Sequence, residues 1–133
     1  MHEASIALAI IGQVSERTAQ KNIARVTAVQ LKIGAMAGID TNALLFAWDL
    51  ATKSSPAEGS RLEIERIPLA LHCEPCGGEQ TVESGNIAVC PSCGTPSSNI
   101  VRGRELHISA LEVIYDTNDG TRTSNPREER YAR

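Results

Sequence analysis

Four cysteines stand in two Cys-x-x-Cys pairs, CEPC ending at Cys76 and CPSC ending at Cys93, with thirteen residues between the pairs. Two residues between cysteines let a tight turn direct both sulfurs, here Cys73 with Cys76 and Cys90 with Cys93, toward one point. Two such turns complete a tetrahedral thiolate cage. Gly77 and Gly94 follow the pairs directly, freeing the backbone to turn so that N–H groups approach the sulfurs and offset their charge. Four thiolates leave no open coordination position, so Zn²⁺ held there is structural and the surrounding lobe should need it to fold. Iron fits the same cage and would make an electron carrier of rubredoxin type; colour separates the two readings, because zinc is d¹⁰.

The second candidate for chemistry is the opening MHE. A free amine at Met1, the Met1–His2 amide nitrogen and the His2 imidazole can form fused chelate rings, a nitrogen set that suits square-planar Ni²⁺ rather than a sulfur cage. The next amide, at Glu3, or another ligand fills the plane. The amide and imidazole must shed protons to bind, so the site weakens in acid. Taken alone, a histidine at a chain end is more often a solvated residue. His72 beside Cys73 reads as a surface or supporting residue, since the cage is complete without it, and His107 falls in a strand pattern. No nucleophile or phosphate-loop motif accompanies the three histidines, so an enzyme is not expected.

Certain elements must position these residues. From Glu3 to Arg17, Ala4, Ala7, Leu8, Ile11 and Val14 recur at helical spacing, predicting an amphipathic helix that begins almost at the amino terminus. RVTAVQLKIG alternates Val29, Leu31 and Ile33 with polar residues and predicts a strand. In GIDTNALLFAWDLA, Asp40 or Thr41 caps a second helix whose inward stripe is Ala43, Leu44, Ala47, Leu50 and Ala51, with Phe46 and Trp48 at its flanks. RLEIERIPLAL predicts a strand broken near Pro68, because proline cannot donate to a ladder. RELHISALEV predicts another, with Leu106, Ile108 and Ala110 on one face. The expected fold class is therefore α+β, with two helices on a small, mainly antiparallel three-stranded sheet and a zinc-ribbon-like lobe inserted. Residues 116–133 lack an apolar period and predict a flexible polar tail.

Composition narrows the partners. Lys plus Arg number 13 against 16 Asp plus Glu, which provides no general field for a polyanion. No stretch approaches the roughly 18 apolar residues of a membrane span, and no signal-peptide pattern opens the chain, so a cytoplasmic location is expected. A zinc-ribbon nucleic-acid module stays open as an alternative, although the loop EQTVESGNIAV has two glutamates, no Lys or Arg and no aromatic residue for stacking.

Taken together, MHEAS, the paired CxxC motifs and GRELHI occur in an order that resembles the HypA/HybF family of hydrogenase-maturation nickel metallochaperones, over about residues 1 to 115. The resemblance implies a nickel-binding α+β domain of residues 1–71 plus 101–115 and a four-cysteine zinc lobe of residues 72–100. It implies that His2 is the essential nickel ligand with Glu3 its neighbouring second residue, and that Cys73, Cys76, Cys90 and Cys93 hold the structural Zn²⁺, with Ni²⁺ as transported cargo; Met1 and Glu3 stay candidate backbone nickel ligands on the chelate chemistry above. The implied partners are a nickel-maturation GTPase of the HypB type and the NiFe-hydrogenase large subunit, with urease maturation proteins for some members, and neither nucleic acid nor membrane. Two departures are Ala4, where leucine is usual, and Ala35, where many members carry an acidic residue.

Overall fold

A computed structural model of the chain describes residues 3–83, 87–116 and 127–130. The elements run α1 (Glu3–Lys21), β1 (Ile23–Gly34), α2 (Thr41–Ala51), β2 (Arg61–Ile67), β3 (Leu69–Cys73), β4 (Gly78–Val82), β5 (Ile100–Arg102), β6 (Leu106–Tyr115) and β7 (Arg127–Arg130). They form a four-stranded sheet ordered β2-β1-β6-β7 and a three-stranded sheet ordered β4-β3-β5. The chain divides into two compact units, one of Met1–Leu31, Ile39–Ile64 and Ile108–Arg133, the other of Lys32–Gly38 and Glu65–His107. None of the described helices is long and apolar enough to cross a membrane.

In the first unit α1 buries Ile6, Ala7, Ile10, Ile11 and Val14. The phase differs from the predicted stripe: Ala4 and Leu8 face out, because Ile6 and Ile10 bring more apolar area to the face they share with Ala7, Ile11 and Val14. The helix ends at Asn22, whose φ of 56° is the left-handed conformation that asparagine tolerates after a helix. Asn22 Nδ2 donates to the Asp116 carbonyl at 2.8 Å, and the Asp116 N–H donates to the Asn22 carbonyl at 3.0 Å. These bonds fix the end of β6 beside the start of β1.

Asp40 caps α2, its carboxylate accepting the N–H groups of Asn42 at 3.0 Å and Ala43 at 3.2 Å. The inward face of α2 is Thr41, Leu44 and Trp48, a correction to the stripe expected from sequence. Trp48 is core and Leu50 is 72% exposed. The indole decides the phase, since it brings the larger apolar area and its Nε1 finds a buried acceptor, Ser60 Oγ, at 3.1 Å. Val26, Val29 and Leu31 of β1 and Leu111 and Val113 of β6 are fully buried, each such side chain contributing roughly 1.5–3 kcal/mol. Thr27 Oγ1 donates to Glu112 Oε1 at 2.8 Å and Arg61 Nη2 lies 3.1 Å from the same oxygen, so one carboxylate ties β1, β2 and β6 together. The Thr27 hydroxyl, then the Arg61 guanidinium, holds the Glu112 carboxyl below its usual range.

RLEIERIPLAL becomes two strands, β2 and β3, interrupted at Pro68 as its missing donor requires. The sheet of the first unit carries one strand beyond the three expected. β7 pairs antiparallel with β6, from Ala110 opposite Arg130 to Val113 opposite Arg127. It lies within the segment expected to be a polar tail, and the ladder explains how: its bonds are made by the backbone and need no apolar period. Residues 117–126 and 131–133 of that segment lie outside the described residues.

Candidate metal centre

The second unit is built on a short antiparallel ladder in which Leu69 to Cys73 of β3 pair with Val82 to Gly78 of β4. β5 lies on the other side, Leu71 opposite Ile100. Leu69, Leu71, Val82, Cys73 and Cys90 form one buried apolar cluster, with Met36, Ala88 and Ile100 packed against it. Two cysteines are thus planted in a core while their partners in sequence, Cys76 and Cys93, are exposed.

Each pair sits on the same kind of turn. The Gly77 N–H donates to the Cys73 carbonyl at 2.9 Å, and the Gly94 N–H to the Cys90 carbonyl at 2.9 Å. Gly77 and Gly94 have φ of 73° and 78°, which side chains rarely adopt. The second turn is the tip of a narrow hairpin held by Cys90 N–H to the Thr95 carbonyl and Ser97 N–H to the Ala88 carbonyl, both 2.9 Å. Ser97 Oγ donates to the His72 carbonyl at 2.7 Å, joining that hairpin to β3.

These turns bring the four Sγ atoms within 4.8 Å of one another, with Cys73 and Cys93 at 3.5 Å and Cys76 and Cys90 at 3.8 Å. Zn–S bonds of about 2.3 Å in a tetrahedron place the sulfurs about 3.8 Å apart, so the donor set and its spacing fit a zinc ion. The thiols also show why a cation belongs there. Cys76 is pushed up to about 12 by its bonds to Cys93 and then Cys73. Cys93 is drawn down to about 6, first by the Thr95 hydroxyl and then by the Thr95 N–H. Four sulfurs this close cannot all become thiolates by themselves; a divalent cation allows it.

Thr95 is a site residue that the cysteine motifs do not mark. Its signal is position, two residues beyond the second pair, where hydroxyl and N–H both reach Cys93. His72 stands outside the sulfur group, with Nε2 3.8 Å from Glu74 Oε1 in an exposed pair. Arg102 pairs with Glu79 across the same sheet.

Of the residues assigned to nickel, Met1 and His2 lie outside the described residues. Glu3 is the first residue of α1, and its Oε2 accepts the Asp40 N–H at 3.2 Å.

A family model described as hydrogenase/urease nickel incorporation, metallochaperone, hypA, matches residues 1–113. A hydrogenase maturation factor HypA of Roseiflexus sp. is 40% identical over 121 residues, 91% of this chain and 98% of that relative. The HypA of Chloroflexus aurantiacus is 40% identical over 113 residues, 85% of this chain and 99% of its own. Among solved structures, the solution structure of the Ni metallochaperone HypA from Helicobacter pylori superposes with a TM-score of 0.61 at 21% identity, over 87% of this chain and all of that one. At that identity the likeness speaks for the fold.

Proposed function

The chain belongs to the HypA family of hydrogenase and urease nickel-incorporation metallochaperones, and from that premise we propose that it binds Ni²⁺ at its amino terminus and delivers it during NiFe-hydrogenase maturation. The observation that carries the reading is the family match over residues 1–113, which takes in the MHE opening and all four cysteines. In this reading His2 supplies the imidazole, Met1 and Glu3 supply backbone nitrogens, and the described site of Cys73, Cys76, Cys90 and Cys93 holds a resident Zn²⁺. The two metals are kept apart by chemistry. Thiolates suit the tetrahedral ion, and imidazole with amide nitrogens suits the square-planar one.

The Glu3–Asp40 bond supports the reading by holding the residue next to His2 against the start of α2, which limits the freedom a chelating terminus would lose on binding. A carrier must also release its cargo. Docking of a maturation GTPase and of the hydrogenase large subunit, in the cytoplasm, is read as the step that changes nickel affinity. The protein acts by transfer and not by catalysing a reaction.

The test is nickel titration of the untagged chain, His2→Ala and an amino-terminally extended form, with zinc quantified in each. His2→Ala is expected to lose most nickel affinity at unchanged zinc. An extension without effect removes the free amine from the ligand set, and indifference to both changes refutes the site. Competition with and without the GTPase tests delivery.

A further inference from the structure

The four sulfurs of the cage are not equivalent. Cys73 and Cys90 are buried, while Cys76 and Cys93 are exposed and can be met by a small molecule from solvent. Three of the four also take donors from the chain. Cys73 Sγ accepts the N–H of Cys76, Cys90 Sγ those of Cys93 and Ser92, and Cys93 Sγ that of Thr95. Thr95 adds a hydroxyl, its Oγ1 3.2 Å from Cys93 Sγ, and this hydroxyl is the donor once the sulfur is a zinc-bound thiolate. Among the described residues the bonds of Cys76 Sγ run to the other sulfurs. The position that matches Thr95, two residues beyond the first pair, is Gly78, which has no hydroxyl to give.

Each donor draws charge from the sulfur it reaches and blunts that sulfur as a nucleophile. Cys76 joins exposure to a lack of the hydroxyl that its counterpart has. On the reading that the cage holds Zn²⁺, we propose that Cys76 is a modification site for hydroperoxides, the sulfur at which oxidation opens the cage, and that the Thr95 hydroxyl shields Cys93 from the same attack. The Cys76 thiolate attacks a peroxide oxygen: an S–O bond forms, the O–O bond breaks, and the departing oxygen takes a proton from solvent. The sulfur gives up the two electrons that the peroxide gains. A neighbouring thiolate, with Cys90 Sγ at 3.8 Å, then displaces the sulfenic oxygen, which leaves as water once protonated; the S–S bond forms as S–O breaks. The metal loses two thiolates and with them its closed shell.

The test treats the zinc-loaded full chain with limiting hydrogen peroxide in an excess of dimedone, which traps sulfenic acids. A chromogenic chelator follows zinc release, and peptide mass mapping finds the trapped residue. Thr95→Val, Thr95→Ser and Gly78→Thr are treated alongside. A Cβ at Gly78 meets nothing within 4 Å, so the last variant brings a hydroxyl to the first pair without a clash. In the unaltered chain the label is expected on Cys76. Gly78→Thr should slow zinc release about fivefold, the worth of one net hydrogen bond, and Thr95→Val should add label at Cys93, with Thr95→Ser restoring the original pattern. With Co²⁺ in place of zinc, Thr95→Val should move the sulfur-to-metal charge-transfer bands to longer wavelength, because the sulfur becomes the stronger donor, and Thr95→Ser should return them. Label that falls first on Cys93, or rates and labels indifferent to both Thr95→Val and Gly78→Thr, overturns the proposal. Metal analysis before the oxidant is added separates the two readings: a chain that carries no zinc refutes the cage, whereas zinc released without preference for Cys76 refutes this site alone.

Discussion

The Glu3 carboxylate accepts the backbone N–H of Asp40 at 3.2 Å, while the carboxylate of Asp40 caps the helix that follows. Residues far apart in sequence thus fasten the first turn of α1 to the first turn of α2. Glu3→Ala is expected to cost about 1 kcal/mol, in the range of an exposed hydrogen bond. Glu3→Gln, which keeps an acceptor oxygen, should cost less. Asp40→Ala removes the cap and should also cost about 1 kcal/mol. Urea unfolding followed by circular dichroism measures all three, with zinc content as the control that should not move.

The four cysteines should separate into two behaviours. Cys76→Ser and Cys93→Ser remove a ligand from the exposed side, so metal is expected to fall while the apolar cluster around Leu69 and Leu71 keeps its packing. Cys73→Ser and Cys90→Ser place a hydroxyl in that buried cluster and should lose metal and also loosen β3 and β4, since an unpartnered buried hydroxyl costs about 1–3 kcal/mol. Native mass spectrometry counts the metal and hydrogen exchange reads the strands. Equal exchange in all four variants would contradict the division.

Metal binding to the thiols is expected to strengthen as pH rises. Cys76, pushed up to about 12, is a thiol at neutral pH and must give its proton to solvent when the metal binds. Cys93, near 6, is mostly thiolate at neutral pH and adds a further proton to the release only as pH falls toward and below that value. The number of protons released therefore grows on acidification, and affinity falls more steeply there, up to tenfold per pH unit for each proton. Calorimetric titration in buffers of different ionisation enthalpy counts the protons. A constant count from acid to neutral pH would set Cys93 apart from the metal.

Gly34 should tolerate no side chain. A Cβ there would stand 2.1 Å from the Gly103 carbonyl carbon and 2.6 Å from the Arg104 nitrogen, atoms that cannot rotate away. Those backbones are joined through Gly34 N–H to the Glu105 carbonyl at 2.8 Å and Met36 N–H to the Gly103 carbonyl at 2.7 Å. Gly34→Ala is therefore expected to destabilise the cysteine-bearing unit by about 3 kcal/mol or more, the upper end for overpacking. Gly12→Ala, where a Cβ meets nothing within 4 Å, is the control and should stabilise α1 slightly. Thermal unfolding of the zinc-loaded proteins compares them.

What could be read in advance follows the range of the physics. The cysteine turns were legible because a pair, its glycine and its carbonyl-directed N–H lie within five consecutive positions. The break at Pro68 and the Asp40 cap were legible for the same reason. Helix phase was less so: Leu50 and Trp48 both suit an inward face, and the acceptor that lets the larger indole take it, Ser60, is supplied from beyond the helix. β7 is not legible in the sequence because REER has no period; its ladder depends on where β6 runs. The approach of Gly34 to Gly103 joins segments distant in sequence and leaves no local mark on either.

Aromatic side chains divide unevenly between the two units. Phe46, Trp48 and Tyr115 belong to the helical unit, and the segments Lys32–Gly38 and Glu65–His107 contain no Phe, Trp or Tyr at all. The sole tryptophan, buried and bonded to Ser60, therefore supplies an intrinsic fluorophore that reports on the helical unit. The cysteine-bearing unit is dark in the near ultraviolet until a metal with sulfur-to-metal charge-transfer bands, such as Co²⁺, is seated on the thiolates. The chain thus carries two optical channels without a label, emission for one unit and absorption for the other, and the unfolding of each can be timed separately in a single cuvette.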